Sequence, residues 1–407
     1  MFCTLIVVIL LLIANHSSAD CTVKPFKPQA PLPIKSNTRE PAIIYPSYQQ
    51  TEINLQTGEQ VHFICPGHDV LYGDIRTPTS VEATCDSSGR FDLMGRQVLW
   101  EDIRCNGDIE SKARYTADNE RCGNTAKFAE VGFEAGAGRF LPIMKICFDY
   151  AKETPIYVRH TVISNINNGD NSSTRPFFAQ DPGFYRATNV DHYYTRNKHR
   201  STINRLLGLP DWSDKFVKGG DDKRFISRGH LAAKKDFFYK SFQLASFRLL
   251  NAAPQWQTLN GFNWNQAEIN TRDLASNRNV DLEVCTGVYG NDRLPHEATH
   301  QEVELNLINN GNLNTLPVPG IFWKIVYDPA RYKGIVLIGI NNPYSIDQRN
   351  FICPDVSNSV SWLTWNKYNM LEGYSYACTI RSFRYAVIND VHVPNDIPDL
   401  TEDNLLD

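Results

Sequence analysis

The chain has 407 residues and a formal net charge of −4, long enough for one large core with an appendage or for two cores. Hydrophobic residues make up 42% and charged residues 21%, a globular composition that excludes an intrinsically disordered chain. Mild acidity also argues against a general polyanion binder, so any grip on nucleic acid has to come from a local patch.

The first residues, "MFCTLIVVILLLIANHSSAD", carry an apolar run, Leu5–Ala14, about half as long as a bilayer-spanning helix requires. Ser17 and Ala19 follow in the pattern a signal peptidase accepts, so residues 1–19 are expected to be a signal peptide cleaved before Asp20. No later stretch is long and apolar enough to span a membrane. The mature protein is therefore expected to be secreted, extracellular and soluble.

Cys3 leaves with the signal, and nine cysteines remain. In an oxidising compartment these read as disulfides with one thiol left over. Proximity pairs Cys21, Cys65, Cys85 and Cys105 among themselves, Cys122 with Cys147, and Cys353 with Cys378. Cys285, inside the strand-like "VDLEVCTGVYG", is the expected free, buried thiol. There is no C-x-x-C, so a zinc finger has no support.

Residues 20–112 begin Pro-rich and continue in short strand-like runs such as "QVHFICPG" and "SVEATCDSSG", broken by Gly and Asp-Ser turns. They read as a small disulfide-rich β module without a chemical constellation. Residues 113–395 mix strands ("KICFDYA", "PIYVRHTVI", "GIFWKIVYD", "KGIVLIGINN") with helical patterns in "KDFFYKSFQLASFRLLNA" and "NGFNWNQAEINTRDLASNR". That mixture is an α+β domain of catalytic size. Residues 396–407 form an acidic tail, the one candidate for disorder. The sequon Asn171-Ser172-Ser173 permits N-glycosylation in a polar loop.

Charge distribution is more informative than its sum. Between Arg196 and Lys240 twelve Lys/Arg stand against five Asp, giving +7 over 45 residues. Such a stripe suits a phosphate backbone or is simply a solvated basic face. It contains "FISRGHLAAKKDF", with His230 behind Ser-Arg-Gly. About thirty residues later a helix is expected over Gly261–Ser276, and Asn260, Trp264, Glu268 and Arg272 recur every four residues. That spacing puts an amide, a carboxylate and a guanidinium on one face, able to hold a metal and a phosphate. The plainer alternative is an exposed face with an i,i+4 Glu-to-Arg pair.

These residues resemble the DNA/RNA non-specific endonuclease family, whose hallmark is Asp-Arg-Gly-His, then Pro-Gln, then an Asn eight residues before a Glu and an Arg four beyond it. Here "SRGHL" and "NAAPQWQTLNGFNWNQAE…R" keep that spacing, and the likeness extends from about residue 120 to 390. Secreted arthropod members, which carry a cysteine-bearing N-terminal extension, look most similar. The resemblance implies an α+β fold with a ββα-metal (His-Me finger) site, a central antiparallel sheet and flanking helices. It implies His230 as general base, Asn260 as the single protein ligand of Mg²⁺ (Mn²⁺ is the alternative), and Glu268 as the acid fixing the metal's waters. Arg272 and Arg175, the latter in "SSTRPFF", would neutralise phosphate, and Arg228 would support the phosphate or the local structure.

The implied substrate is DNA, double- or single-stranded, with RNA left open, gripped mainly through phosphates and cut to 5′-phosphate ends in saliva or gut. No obligate protein partner is evident. One position departs: Ser227 stands where the family usually has Asp, which bears on rate or metal preference. Two other readings stay open. One is a secreted nucleic-acid-binding protein on a nuclease scaffold, its activity dulled by Ser227. The other is a zinc protease through "HEATH" (His296–His300), which needs both histidines on one helix, although Pro295 and its neighbours read as a loop. "AGAG" at 135–138 is too short to cradle a phosphate.

Overall fold

A computed structural model describes residues 20–407 apart from 37, 117–119, 310, 312, 347 and 389–392; the expected signal peptide lies outside the described residues. The centre is a nine-stranded antiparallel sheet. Its order is Lys112–Tyr115, Ala126–Glu134, Phe140–Asp149, Thr154–Val162, Leu282–Tyr289, Ile321–Asp328, Lys333–Ile340 and Ser375–Cys378, with Arg121–Gly123 also paired to Ala126–Glu134. All four strand-like runs read from the sequence lie in it.

Every residue of Ile321–Asp328 is buried, because both faces of the sheet are covered and the strand reads as a near-continuous apolar run. Phe322 and Val326 enter one core with Trp264 and Phe238. Trp323 and Ile325 enter a second with Phe383 and Tyr157. Lys324, with no exposed surface, is the exception in the middle of this strand.

Two strands stand apart from the sheet. Strand β1 (Ile226–His230) pairs antiparallel with β2 (Ala252–Trp256), His230 facing Ala252. The chain then makes a one-turn helix α1 (Gln257–Asn260) and a longer helix α2 (Asn263–Arg278). Together they form the ββα unit. Gly229 is required here, since an added Cβ would lie 2.3 Å from the Gln255 side chain.

Helix α2 starts and ends two residues later than the sequence predicts. Phe262, at φ −124° and ψ −100°, breaks the helix before it, so Asn260 belongs to the separate turn α1. Trp264 turns into the core beside Phe322, and the expected four-residue stripe is divided. The segment "KDFFYKSFQLASFRLLNA" also departs: only Lys240–Ala245 is α-helical. Phe237, Phe238 and Tyr239 are all buried in succession, and a helix would point consecutive side chains 100° apart, away from one shared core.

The cysteines pair as Cys21–Cys85, Cys65–Cys105, Cys122–Cys147 and Cys353–Cys378, leaving Cys285 free and buried. The first two bridges interlock around an N-terminal core of Phe63, Phe91 and Trp100. This part packs on the rest through Phe26 and Tyr45 against Phe238 and through the Tyr239 hydroxyl, which donates to the Ile44 carbonyl. The acidic end is not loose, contrary to expectation: Leu405 and Leu406 are buried, and the Leu406 N–H donates to Gly334 O at 3.3 Å. Two consecutive leucines supply the apolar contact that the acidic residues lack. Among the described residues no helix is long and apolar enough to cross a membrane.

Candidate active site

Strand β1 sends Arg228 and His230, two residues apart, to one side. There they line a cleft of about 680 Å³ together with Arg175, Phe177, Phe178, Asp191, Lys234, Lys235, Gln257, Asn260, Glu268 and Arg272. All six residues singled out from the sequence therefore meet in one place, although Asn260 and Glu268 arrive from different helices.

The His230 ring is wedged between Phe178 and Phe247, each with its ring centre 4.8 Å away. Its Nε2 is buried without a hydrogen-bond partner. Burial, with Arg175 and Lys234 adding to it, pushes its pKa down to about 3, so the imidazole is a free base at neutral pH.

Asn260 is held by its amide. Its Nδ2 donates to Ser227 Oγ at 3.1 Å and to Gln257 Oε1 at 3.2 Å, which leaves Oδ1 as the atom available to a cation. Ser227 in turn donates its hydroxyl proton to Gln255 O at 2.8 Å. Among the described residues no group of three or more His, Cys, Asp or Glu could hold a metal. The free Asn260 Oδ1 is a neutral hard oxygen, a donor that fits a hard cation keeping most of its water.

Ser227 therefore orients the Asn260 amide. A Ser227→Ala variant is expected to lose about 2–10-fold in divalent-cation affinity, the worth of one ordinary hydrogen bond. Ser227→Asp should keep that affinity, since a carboxylate oxygen can still accept from Asn260 Nδ2. Titration calorimetry checks both, and undiminished affinity in Ser227→Ala would mean that Gln257 alone holds the amide.

Behind the cleft lies a buried charge network. Asp236, 2% exposed, takes Arg272 Nη1 on Oδ1 at 3.0 Å and His160 Nε2 on Oδ2 at 2.9 Å. Burial alone would raise its carboxyl, but the His160 bond, with Lys324 and Arg272, holds it below the usual range. Lys324 donates to Thr286 Oγ1 at 2.6 Å; burial lowers its pKa, opposed by Asp236 and Glu268. Burial also pushes Glu268 up to about 7, against Lys324 and Arg272. Sequence reading missed His160, Asp236, Lys324 and Thr286. A lone lysine in the apolar run "GIFWKIVYD" was the available signal.

Arg228 is committed elsewhere: its Nε pairs with Asp191 Oδ1, its Nη2 donates to Asp191 O at 2.9 Å, and it sits over the Tyr194 ring at 5.1 Å. It braces the cleft wall. Lys234 and Lys235 tie down the loop before Arg175 through Ser173 O and Asn171 Oδ1.

Of the twelve basic residues of the stripe, only Arg228, Lys234 and Lys235 line the cleft. Others are spent locally, as in Arg205–Asp211, Lys215–Glu297 and Arg224–Asp222, so the stripe is not a continuous phosphate wall. "HEATH" is a loop: His296 Nδ1 accepts from the Ala298 and Thr299 N–H groups, and His300 has φ +58°. The helix that a zinc protease needs is absent there.

A model of the DNA/RNA non-specific endonuclease family matches residues 124–383. Among curated proteins the chain is 32% identical over 304 residues to the salivary endonuclease of Lutzomyia longipalpis, covering 75% of this chain and 66% of that one. It is 25% identical over 259 residues to salivary protein Tsal1 of Glossina morsitans morsitans, with 62% of each covered. Against the salivary endonuclease of Culex quinquefasciatus it is 23% identical over 293 residues, covering 70% and 65%. The chain thus spans just under two thirds of the length of these relatives. With the family model matching well over half of its length and the ββα unit in place, the chain belongs to the DNA/RNA non-specific endonuclease family.

Proposed function

We propose that the protein is a secreted, Mg²⁺-dependent endonuclease that hydrolyses phosphodiester bonds of DNA, and of RNA where presented, with little sequence preference. The observation that carries this reading is the convergence of His230, Asn260, Glu268, Arg272 and Arg175 on one basic cleft. In this reading residues 113–395 are the catalytic unit and 20–112 an appended β module.

Arg175 and Arg272 receive the scissile phosphate, and His230 takes the proton from the attacking water. The new bond is water oxygen to phosphorus and the broken one is phosphorus to O3′. A 5′-phosphate results, and O3′ takes a proton from solvent. A ring with pKa near 3 is a weak base, but a phosphate between the two arginines brings negative charge beside it and raises that value toward the working pH. Mg²⁺ at Asn260 Oδ1, with Mn²⁺ as the alternative ion, would supply positive charge for the phosphate and the departing oxygen. Glu268, on the same cleft, would orient water for such a cation. Because the cleft offers phosphate partners, affinity comes from the backbone and carries little base information.

The test is purified protein on plasmid DNA, single-stranded DNA and double-stranded RNA, with Mg²⁺ or EDTA, beside Asn260→Ala. Cleavage is expected in Mg²⁺, to vanish in EDTA, and to fall about 10²-fold or more in Asn260→Ala, as several kcal/mol of charge stabilisation are lost. Cleavage that survives EDTA would overturn the mechanism. Salt-sensitive binding without cleavage in Mg²⁺ would replace the enzyme by a nucleic-acid-binding protein.

A further inference from the structure

We propose that Phe177 is a base-stacking residue, holding an unpaired nucleobase of the strand whose phosphate occupies the cleft. This rests on the nuclease reading and narrows its substrate toward single-stranded segments.

Phe177 is 94% exposed and lines the same cleft as His230 and Arg175. An isolated exposed hydrophobic residue needs no explanation; what singles this one out is how firmly it is held. On one side Ser173 is buried, its hydroxyl bound to Gln243 and its carbonyl to Lys234 Nζ. On the other, Phe178 packs its ring on His230 and Phe247 at 4.8 and 5.2 Å. The Ala179 N–H donates to Phe247 O at 3.0 Å, and Ala179 O accepts from the Leu249 N–H at 2.9 Å. Thr174 to Phe177 is therefore a short span between two anchors, and Pro176 stiffens it further by fixing its own φ. The fold presents an aromatic face to solvent at Phe177 while one residue later Phe178 is half-buried against His230 and Phe247.

The neighbours define the occupant. Arg175, Arg228, Lys234, Lys235 and Arg272 give the cleft five basic side chains against Asp191 and Glu268. A ligand that puts a negative charge among them and a flat apolar face on the adjoining ring is a nucleotide in a chain. Bases in an intact duplex have both faces covered by their neighbours. The ring can stack only where a base is unpaired, at an end, a nick or in a single strand, and such stacking tolerates any base. The contact adds affinity without sequence preference.

The experiment measures binding in a His230→Ala background, so that it does not depend on cleavage. The probe is single-stranded DNA carrying 2-aminopurine, whose emission falls when it stacks. Adding Phe177→Ala is expected to weaken binding about tenfold and abolish the quenching. Phe177→Trp should keep both, whereas Phe177→Leu, apolar but not aromatic, should not. The slope of log affinity against log salt should stay unchanged in Phe177→Ala, because no phosphate contact is removed, and should shallow in Arg175→Ala. Duplex DNA of the same length should lose under threefold. Trp212, 81% exposed and outside the cleft, provides the control Trp212→Ala, expected to bind like its parent.

Unchanged binding in Phe177→Ala would overturn the proposal, as would an equal loss in Trp212→Ala or on duplex DNA. Failure of the wild type to cleave while Phe177 still quenches the probe would count against the catalytic reading alone.

Discussion

Replacing His230 with alanine is expected to lower kcat about 10²–10⁴-fold at neutral pH, the usual worth of a positioned base, while affinity for DNA changes little. The ring lines the cleft, but in the proposed reading the grip on phosphate comes from Arg175 and Arg272, which the substitution leaves in place. A drop of less than tenfold would assign the base elsewhere.

The ionisation of His230 can be followed without substrate. With a folded pKa near 3 against an ordinary 6.5, the unfolded chain binds the extra proton between those values. The stability that depends on a neutral His230 is therefore complete above pH 6.5 and lost as pH falls from 6.5 toward 3. The His230 ring resonances should accordingly stay flat from pH 5 to 8 in NMR titration of the metal-free protein. A midpoint near 6.5 would mean that the ring is solvated.

How much of this was legible in the sequence follows from range. Arg228 with His230, and Glu268 with Arg272, sit in two stretches whose spacings survive as local geometry: two residues apart on a strand, four apart on a helix. The sheet strands were legible for the same reason, since Lys333–Ile340 and Ile321–Asp328 are almost entirely apolar. The break at Gly261–Phe262 was not. The Asn263 amide there is buried and donates to Asn366 O and Gly373 O, partners more than a hundred residues away that no local pattern announces. Asp236 looked like one acid among twelve bases, yet its partners, His160 and Arg272, come from a sheet strand and from α2. The charge stripe misled because formal charge does not reveal which lysines and arginines already have a carboxylate.

The largest stability effect is expected at Asp236. Asp236→Ala should cost about 3–5 kcal/mol of unfolding free energy, the range for breaking a buried ion pair from one side. It strands Arg272, whose side chain is 13% exposed, and His160, whose side chain is wholly buried. Asp236→Asn should cost less, because one oxygen can still accept. Adding Arg272→Met to Asp236→Ala removes the orphaned charge. The double variant should then be more stable than the sum of the single losses by about 0.5–3 kcal/mol, as contacting residues couple. Urea unfolding of the four proteins gives the coupling, and strict additivity would show that the pair is not a unit. Activity should move separately: Asp236 raises the Glu268 pKa and tethers Arg272. Its loss lets Glu268 ionise at lower pH and leaves the Arg272 guanidinium, the proposed phosphate partner, unanchored. A fall in kcat/KM with unchanged cation affinity would place the damage at Arg272, and a rise in cation affinity at neutral pH would trace to the more readily ionised Glu268.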